Sequence, residues 1–120
     1  MEGDISLFLA IEKMMQEKMF LHQGKLVVKD VDIAALYEVK IKDLRTRIRN
    51  NKVRFPSDFM VELSEGEYAF MEPGILMLGG LLKSERAKRA HIQFIEYFVH
   101  LAHENGTSVF DLIKTVGNKP

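Results

Sequence analysis

Between Lys40 and Arg54 the chain carries seven basic side chains and a single acid, Asp43. The order of residues in this strip separates two chemistries. Ile41, Leu44 and Ile48 recur at three- and four-residue steps, the spacing of one narrow apolar stripe on a helix. At about 100° per residue, Lys42, Thr46, Arg49 and Asn50 fall on the opposite side, with Arg45 and Arg47 flanking them. A guanidinium can grip a guanine edge or a phosphate with two parallel N–H donors, and a carboxamide can read adenine. Threonine and lysine reach phosphate or base. Such a face suits the major groove of duplex DNA, with Lys42, Arg45, Thr46, Arg49 and Asn50 entering it. Arg47, Lys52 and Arg54 would then hold phosphates, helped by Arg86 and Arg89 from a later segment. A merely solvated helix face would mix Glu with Lys more evenly.

Other combinations point nowhere comparable. His100 and His103 stand three apart, near His91 and Glu96, but no third ligand completes a metal site, and they read as surface histidines. Glu62, Glu65, Glu67 and Glu72 have no nucleophile, histidine or phosphate-binding loop beside them, so they read as a solvated acidic segment. The chain has no cysteine, which removes thiolate chemistry, disulfides and Cys-based zinc sites. No HExxH, P-loop, GxSxG or GxGxxG pattern occurs. The expectation is a binding protein with no catalytic residue, metal or cofactor.

The charge balance sharpens this picture. The 120-residue chain is neutral overall, yet residues 1–39 sum to −3, residues 40–54 to +6 and residues 55–82 to −5. One basic strip between acidic flanks implies local phosphate contact without a strong long-range field. With 47% apolar and 28% charged residues, the chain is globular and long enough for one core. No apolar run approaches the roughly 20 residues of a membrane span, and the acidic start Met1-Glu2-Gly3-Asp4 is unlike a signal peptide. A reducing cytoplasm is the expected setting.

The strip needs a frame to hold it. Periodicity predicts a helix over Ile5–Lys18, striped by Phe8, Ile11, Met15 and Met19. Two short β-prone runs around Gln23-Gly24 predict a hairpin. Asp30 or Asp32 can cap a following short helix through Tyr37. After a break at Glu38-Val39, a second helix runs from Lys40 to about Asn51, stopped by Phe55-Pro56. Phe59–Leu63 and Tyr68–Met71 read as strands around a turn. Pro73 opens an apolar helix through Leu82, in which Gly79-Gly80 would admit a neighbouring backbone. Ser84 caps a long helix to about Glu104, striped by Ala87, Ala90/His91, Phe94/Ile95, Phe98 and Leu101/Ala102. A short last helix is expected from Ser108. The class is α+β, mostly α: a helix-turn-helix-like pair, a small β hairpin or sheet, and two packed C-terminal helices. Residues 1–18 form an N-terminal amphipathic helix, 19–104 the DNA-binding domain, and 105–120 a short helix and tail.

Asp30 to Asn51 meets most of the fixed positions of a helix-turn-helix. Ala34 is small where the helices cross, Tyr37 is apolar three residues later, Val39 follows the turn, and Leu44 faces inward. Glu38 departs from the pattern, since glycine is preferred there for its left-handed backbone. A side chain at that point costs about 1 kcal/mol.

The run Leu26–Val39, then Leu44, Arg49-Asn50 and Arg54-Phe55-Pro56-Ser57-Asp58-Phe59-Met60-Val61-Glu62-Leu63, resembles the phage "ORF-six N-terminal" domain family. That family is related to the KilA-N and Bro-N domains of phage and large DNA viruses. The resemblance extends through Phe70–Leu78 and Leu82–Ala87, about residues 20–102 in all. It implies a DNA-binding regulator of phage or prophage type. Three departures stand out: Glu38 replaces glycine, Pro73 stands where glutamine is frequent, and a basic glycine-bearing segment is reduced to Ser64–Ala69. If that segment contacts DNA in relatives, this protein has lost the contact or moved it to Lys83, Arg86, Lys88 and Arg89.

The expected partner is double-stranded DNA, bound by a homodimer, with another phage or host regulator as a further partner. Met14, Met15 and Met19 have two readings: packing on the chain's own core, or a dimer contact. The rival function is an antirepressor-like protein–protein interaction module whose helix-turn-helix is structural; it would show an exposed apolar patch.

Overall fold

The computed structural model describes residues 2–104. Among them are five helices and four strands: α1 (Glu2–Lys18), β1 (Phe20–His22), β2 (Lys25–Lys29), α2 (Asp30–Tyr37), α3 (Ile41–Asn50), β3 (Met60–Ser64), β4 (Glu67–Phe70), α4 (Glu72–Leu81) and α5 (Glu85–Glu104). A one-turn 3-10 helix, Lys52–Arg54, follows α3. The architecture is α+β and mostly α. The last helix expected from Ser108 lies outside the described residues. None of the described helices is long and apolar enough to cross a membrane.

The two predicted hairpins join into one antiparallel sheet of order β1-β2-β4-β3. Gln23 and Gly24 turn the first hairpin with φ of 51° and 82°, the positive pair that a two-residue turn of matching twist requires. Val28 pairs with Phe70, which pairs in turn with Met60. Alternation along the strands sorts their side chains. Val28, Tyr68 and Phe70 face the helices and join the main core, whereas Val27, Ala69 and Met71 form a second cluster with Phe20, Val61 and Leu63.

The main core runs through Ile11, Ile33, Tyr37, Leu44, Ile48, Phe70, Ile75, Leu78 and Phe94, each at most 1% exposed. α5 is its spine. Ser84 caps it as expected, accepting the Ala87 N–H at 3.1 Å. Its buried stripe differs from the sequence expectation: Ile95 is exposed, whereas Gln93 and Tyr97 are buried. The reason at Tyr97 is α1, which packs along α5 and brings Phe8 edge-on to Tyr97, 6.2 Å between ring centres. Leu7, Ile11, Met14 and Met15 are buried in the same contact, so the methionines of α1 pack on their own core.

The close backbone approach expected at Gly79-Gly80 occurs instead at Gly74, where an added Cβ would fall on the carbonyl oxygen of Phe59. That oxygen also accepts the Met71 N–H at 3.0 Å, tying the start of α4 to the entry of β3. Gly79 serves a side chain: a Cβ there would lie 2.7 Å from the His91 ring.

Candidate nucleic-acid interface

α2 ends through paired reverse hydrogen bonds, Val39 N–H to Ala34 O at 3.0 Å and Glu38 N–H to Ala35 O at 3.2 Å. This is the Schellman motif, which needs one left-handed residue. Glu38 supplies it, with φ 58° and ψ 43°. The turn therefore keeps the geometry glycine would favour, and the side chain makes an exposed ion pair with Arg86 at 3.5 Å. Ala34 is buried at the crossing, and Leu44 and Ile48 seat α3 on the core.

That seating leaves Lys42, Thr46, Arg49 and Asn50 exposed on α3. Thr46 Oγ1 donates to the Lys42 carbonyl at 2.9 Å and accepts from Arg49 Nη2 at 3.1 Å. The hydroxyl thus holds the Arg49 fork against the helix surface while leaving donors of the fork unused. Arg47 is exposed and donates to the Leu81 carbonyl at 3.3 Å, anchoring α3 to the C-terminal end of α4. Lys52, on the 3-10 turn, stands 3.9 Å from Glu62 and 5.8 Å from the centre of the Tyr68 ring. Arg54 and Arg89 are exposed.

Two expected contact residues are committed elsewhere. Arg45 is turned away from the exposed face toward Asp30: its Nε donates to Asp30 Oδ2 at 2.9 Å and its Nη2 to Oδ1 at 3.3 Å. Asp30 is 2% exposed. Its Oδ2 also accepts the Tyr68 backbone N–H at 3.1 Å. The hydrogen bond that Arg45 donates to Asp30, opposed by desolvation, raises the already high pKa of Arg45, so the guanidinium stays charged. Asp30 therefore does not cap α2, whose first turn has no side-chain cap. It ties α2, α3 and β4 together. A buried carboxylate demands a partner of this kind, and that demand turns Arg45 inward. Arg86 is also structural: its Nε donates to the Leu36 carbonyl at 2.7 Å, satisfying the C-terminal end of α2 where a cation is favoured.

Sequence reasoning missed the Asp30 hub. The hub has a faint signal, an acid at the first position of a helix facing a basic strip fifteen residues on. Only the packing of β4 shows that it is buried. Lys40, Asp43, Arg47 and Lys83 line a groove between the start of α3 and the α4–α5 link, so Lys83 is the cation of the later segment that reaches the flank of α3. Beyond its other end, the β3–β4 hairpin presents Glu62, Glu65 and Glu67. Among the described residues, no group of three histidines, cysteines or acids could hold a metal ion.

Neither a search of curated proteins nor a search of solved structures returned a match. A family model does match, the ORF6N domain, over residues 17–107. Its span begins at the end of α1 and contains the whole sheet, the α2–α3 pair, α4 and α5. Covering about three quarters of the chain, the match places this protein in the phage-related ORF6N-domain family.

Proposed function

We propose that this protein is a DNA-binding transcriptional regulator of phage type that reads duplex DNA with the exposed face of α3. The observation that carries the reading is the division of α3. Leu44 and Ile48 are buried, and Lys42, Thr46, Arg49 and Asn50 are exposed together beyond a left-handed turn. These four side chains meet base edges, and Arg47, Lys52, Arg54 and Arg89 meet phosphates. Arg45 and Arg86 contribute indirectly, Arg45 by tying α3 to α2 and Arg86 by tying α5 to the end of α2. The protein acts in the cytoplasm as a binding protein, not an enzyme. Ile5 and Leu9, exposed on α1, supply the contact of a homodimer whose two α3 helices lie about 34 Å apart, one turn of B-DNA.

Selection from random duplexes followed by a salt titration tests this. Four phosphate contacts per protomer, eight for the homodimer, give a slope of log K against log salt of about −7. Combining Lys42→Glu with Arg49→Glu should abolish binding without unfolding the chain. No binding at low salt, or binding that survives the double substitution, refutes the reading.

One observation favours the rival interaction module. Leu21 and Leu26, both more than half exposed, stand directly opposite each other on the outer hairpin. A protein partner seated there would lose affinity on Leu21→Asp, whereas DNA binding through α3 would not.

A further inference from the structure

Val53 is 94% exposed, an unusual position for a β-branched apolar side chain on a firmly built segment. The 3-10 turn that carries it is closed at both ends. Asn51 N–H donates to the Ile48 carbonyl at 3.1 Å, Arg54 N–H to the Asn51 carbonyl at 2.9 Å, and Phe55 N–H to the Lys52 carbonyl at 2.9 Å. The Asn51 side chain donates to the Arg47 carbonyl at 2.8 Å. Phe55 is 5% exposed and packs edge-on to Phe70, with ring centres 5.7 Å apart. The turn is thus pinned to α3 on one side and to the core on the other, and it holds a methyl-bearing side chain in water.

Two further facts say what that side chain suits. Val53 stands three residues past Asn50, the last residue of α3, on the 3-10 turn that begins once Asn51 leaves helical backbone at φ −132°. Its chain neighbours are the exposed cations Lys52 and Arg54. An apolar group flanked by two cations, at the end of a row of polar groups and cations, complements a polyanion that offers a methyl group between phosphates. The major groove of DNA offers one, the C5 methyl of thymine, which is read by apolar contact.

Resting on the DNA reading proposed above, we infer that the base-reading surface extends one turn past α3 and that Val53 is its specificity-determining contact to a thymine methyl. Lys52 and Arg54 hold the phosphates on either side of that base. The rigid turn means that little ordering cost opposes the contact.

The test uses the full chain and the duplex recovered by selection. Each thymine is replaced in turn by deoxyuridine, which differs only by lacking the methyl group. For the unmodified protein, one position should lose affinity roughly fourfold, the effect of a single buried methyl-sized group. Val53→Ala should lose about the same on the thymine duplex and nothing further at that position on the deoxyuridine duplex. An unchanged melting temperature for Val53→Ala would show that folding is unaffected, as its exposure requires. A selected site with no preferred thymine, indifference to every deoxyuridine, or equal sensitivity in both proteins overturns the inference while leaving DNA binding standing. Absence of any duplex binding overturns both.

Discussion

Removing the Asp30 carboxylate should loosen the whole frame that presents α3. Asp30→Ala deletes the acceptor of the Arg45 fork and of the Tyr68 N–H. Hydrogen bonds to charged groups contribute about 1.5–3 kcal/mol, and a buried backbone donor left unpaired costs about 1–3 kcal/mol. Breaking a buried ion pair from one side costs about 3–5 kcal/mol. Arg45 is still 24% exposed and recovers some hydration, which lowers the sum. We therefore expect a loss of about 2–4 kcal/mol for Asp30→Ala, and a similar loss for Arg45→Ala, which strands the carboxylate. The double variant should cost little more than either single one, with a coupling near 2 kcal/mol. Urea denaturation of the four proteins measures this cycle. The same variants separate structure from reading. If Arg45 works through Asp30, Arg45→Ala leaves the salt slope of DNA binding unchanged under conditions where the protein is folded. Single losses under about 1 kcal/mol, or full additivity, would refute the hub. A slope reduced by about 0.9 per protomer would put Arg45 on a phosphate.

Gly74→Ala drives a methyl group into the Phe59 carbonyl, a backbone atom that cannot swing aside. Thermal or chemical denaturation should show a loss of about 1–3 kcal/mol, and a neutral result would mean that α4 does not sit against β3 as described. Glu38→Gly relieves a left-handed side chain and gives up only an exposed ion pair, so calorimetry should register a gain of about 0.5–1 kcal/mol; a loss contradicts the turn geometry. Glu72 has its pKa raised by desolvation. Its carboxyl therefore binds a proton more readily folded than unfolded, and the stability of the natural chain relative to Glu72→Gln should rise as pH falls through that raised value toward ~4.3. A flat or inverted difference in parallel denaturation series would refute this desolvation.

Much of the frame was determined by local order in the sequence. The stripe of α3, the Ser84 cap, the Gln23-Gly24 turn and the short α2 all follow from spacing and single-residue backbone preferences, which act within a few residues. The division of α3 into a buried and an exposed face was legible for the same reason: Ile41, Leu44 and Ile48 leave only one way to seat the helix. What the tertiary structure alone decided was the use of each cation. Arg45, Arg49 and Arg86 are one residue type on exposed or flanking helix positions, and nothing local distinguishes them. Arg45 is drawn inward because β4 closes over Asp30 and leaves a carboxylate with no water to solvate it. Arg86 is drawn to the last carbonyls of α2 because α5 crosses there. Arg49 stays outward because, among the described residues, no element packs over its side of α3. The exposure of Ile95 and the burial of Tyr97 have the same origin, since α1 reaches α5 from far along the chain. Helical periodicity fixes which residues share a face, but the elements that pack against that face decide which of its charges remain to meet a ligand.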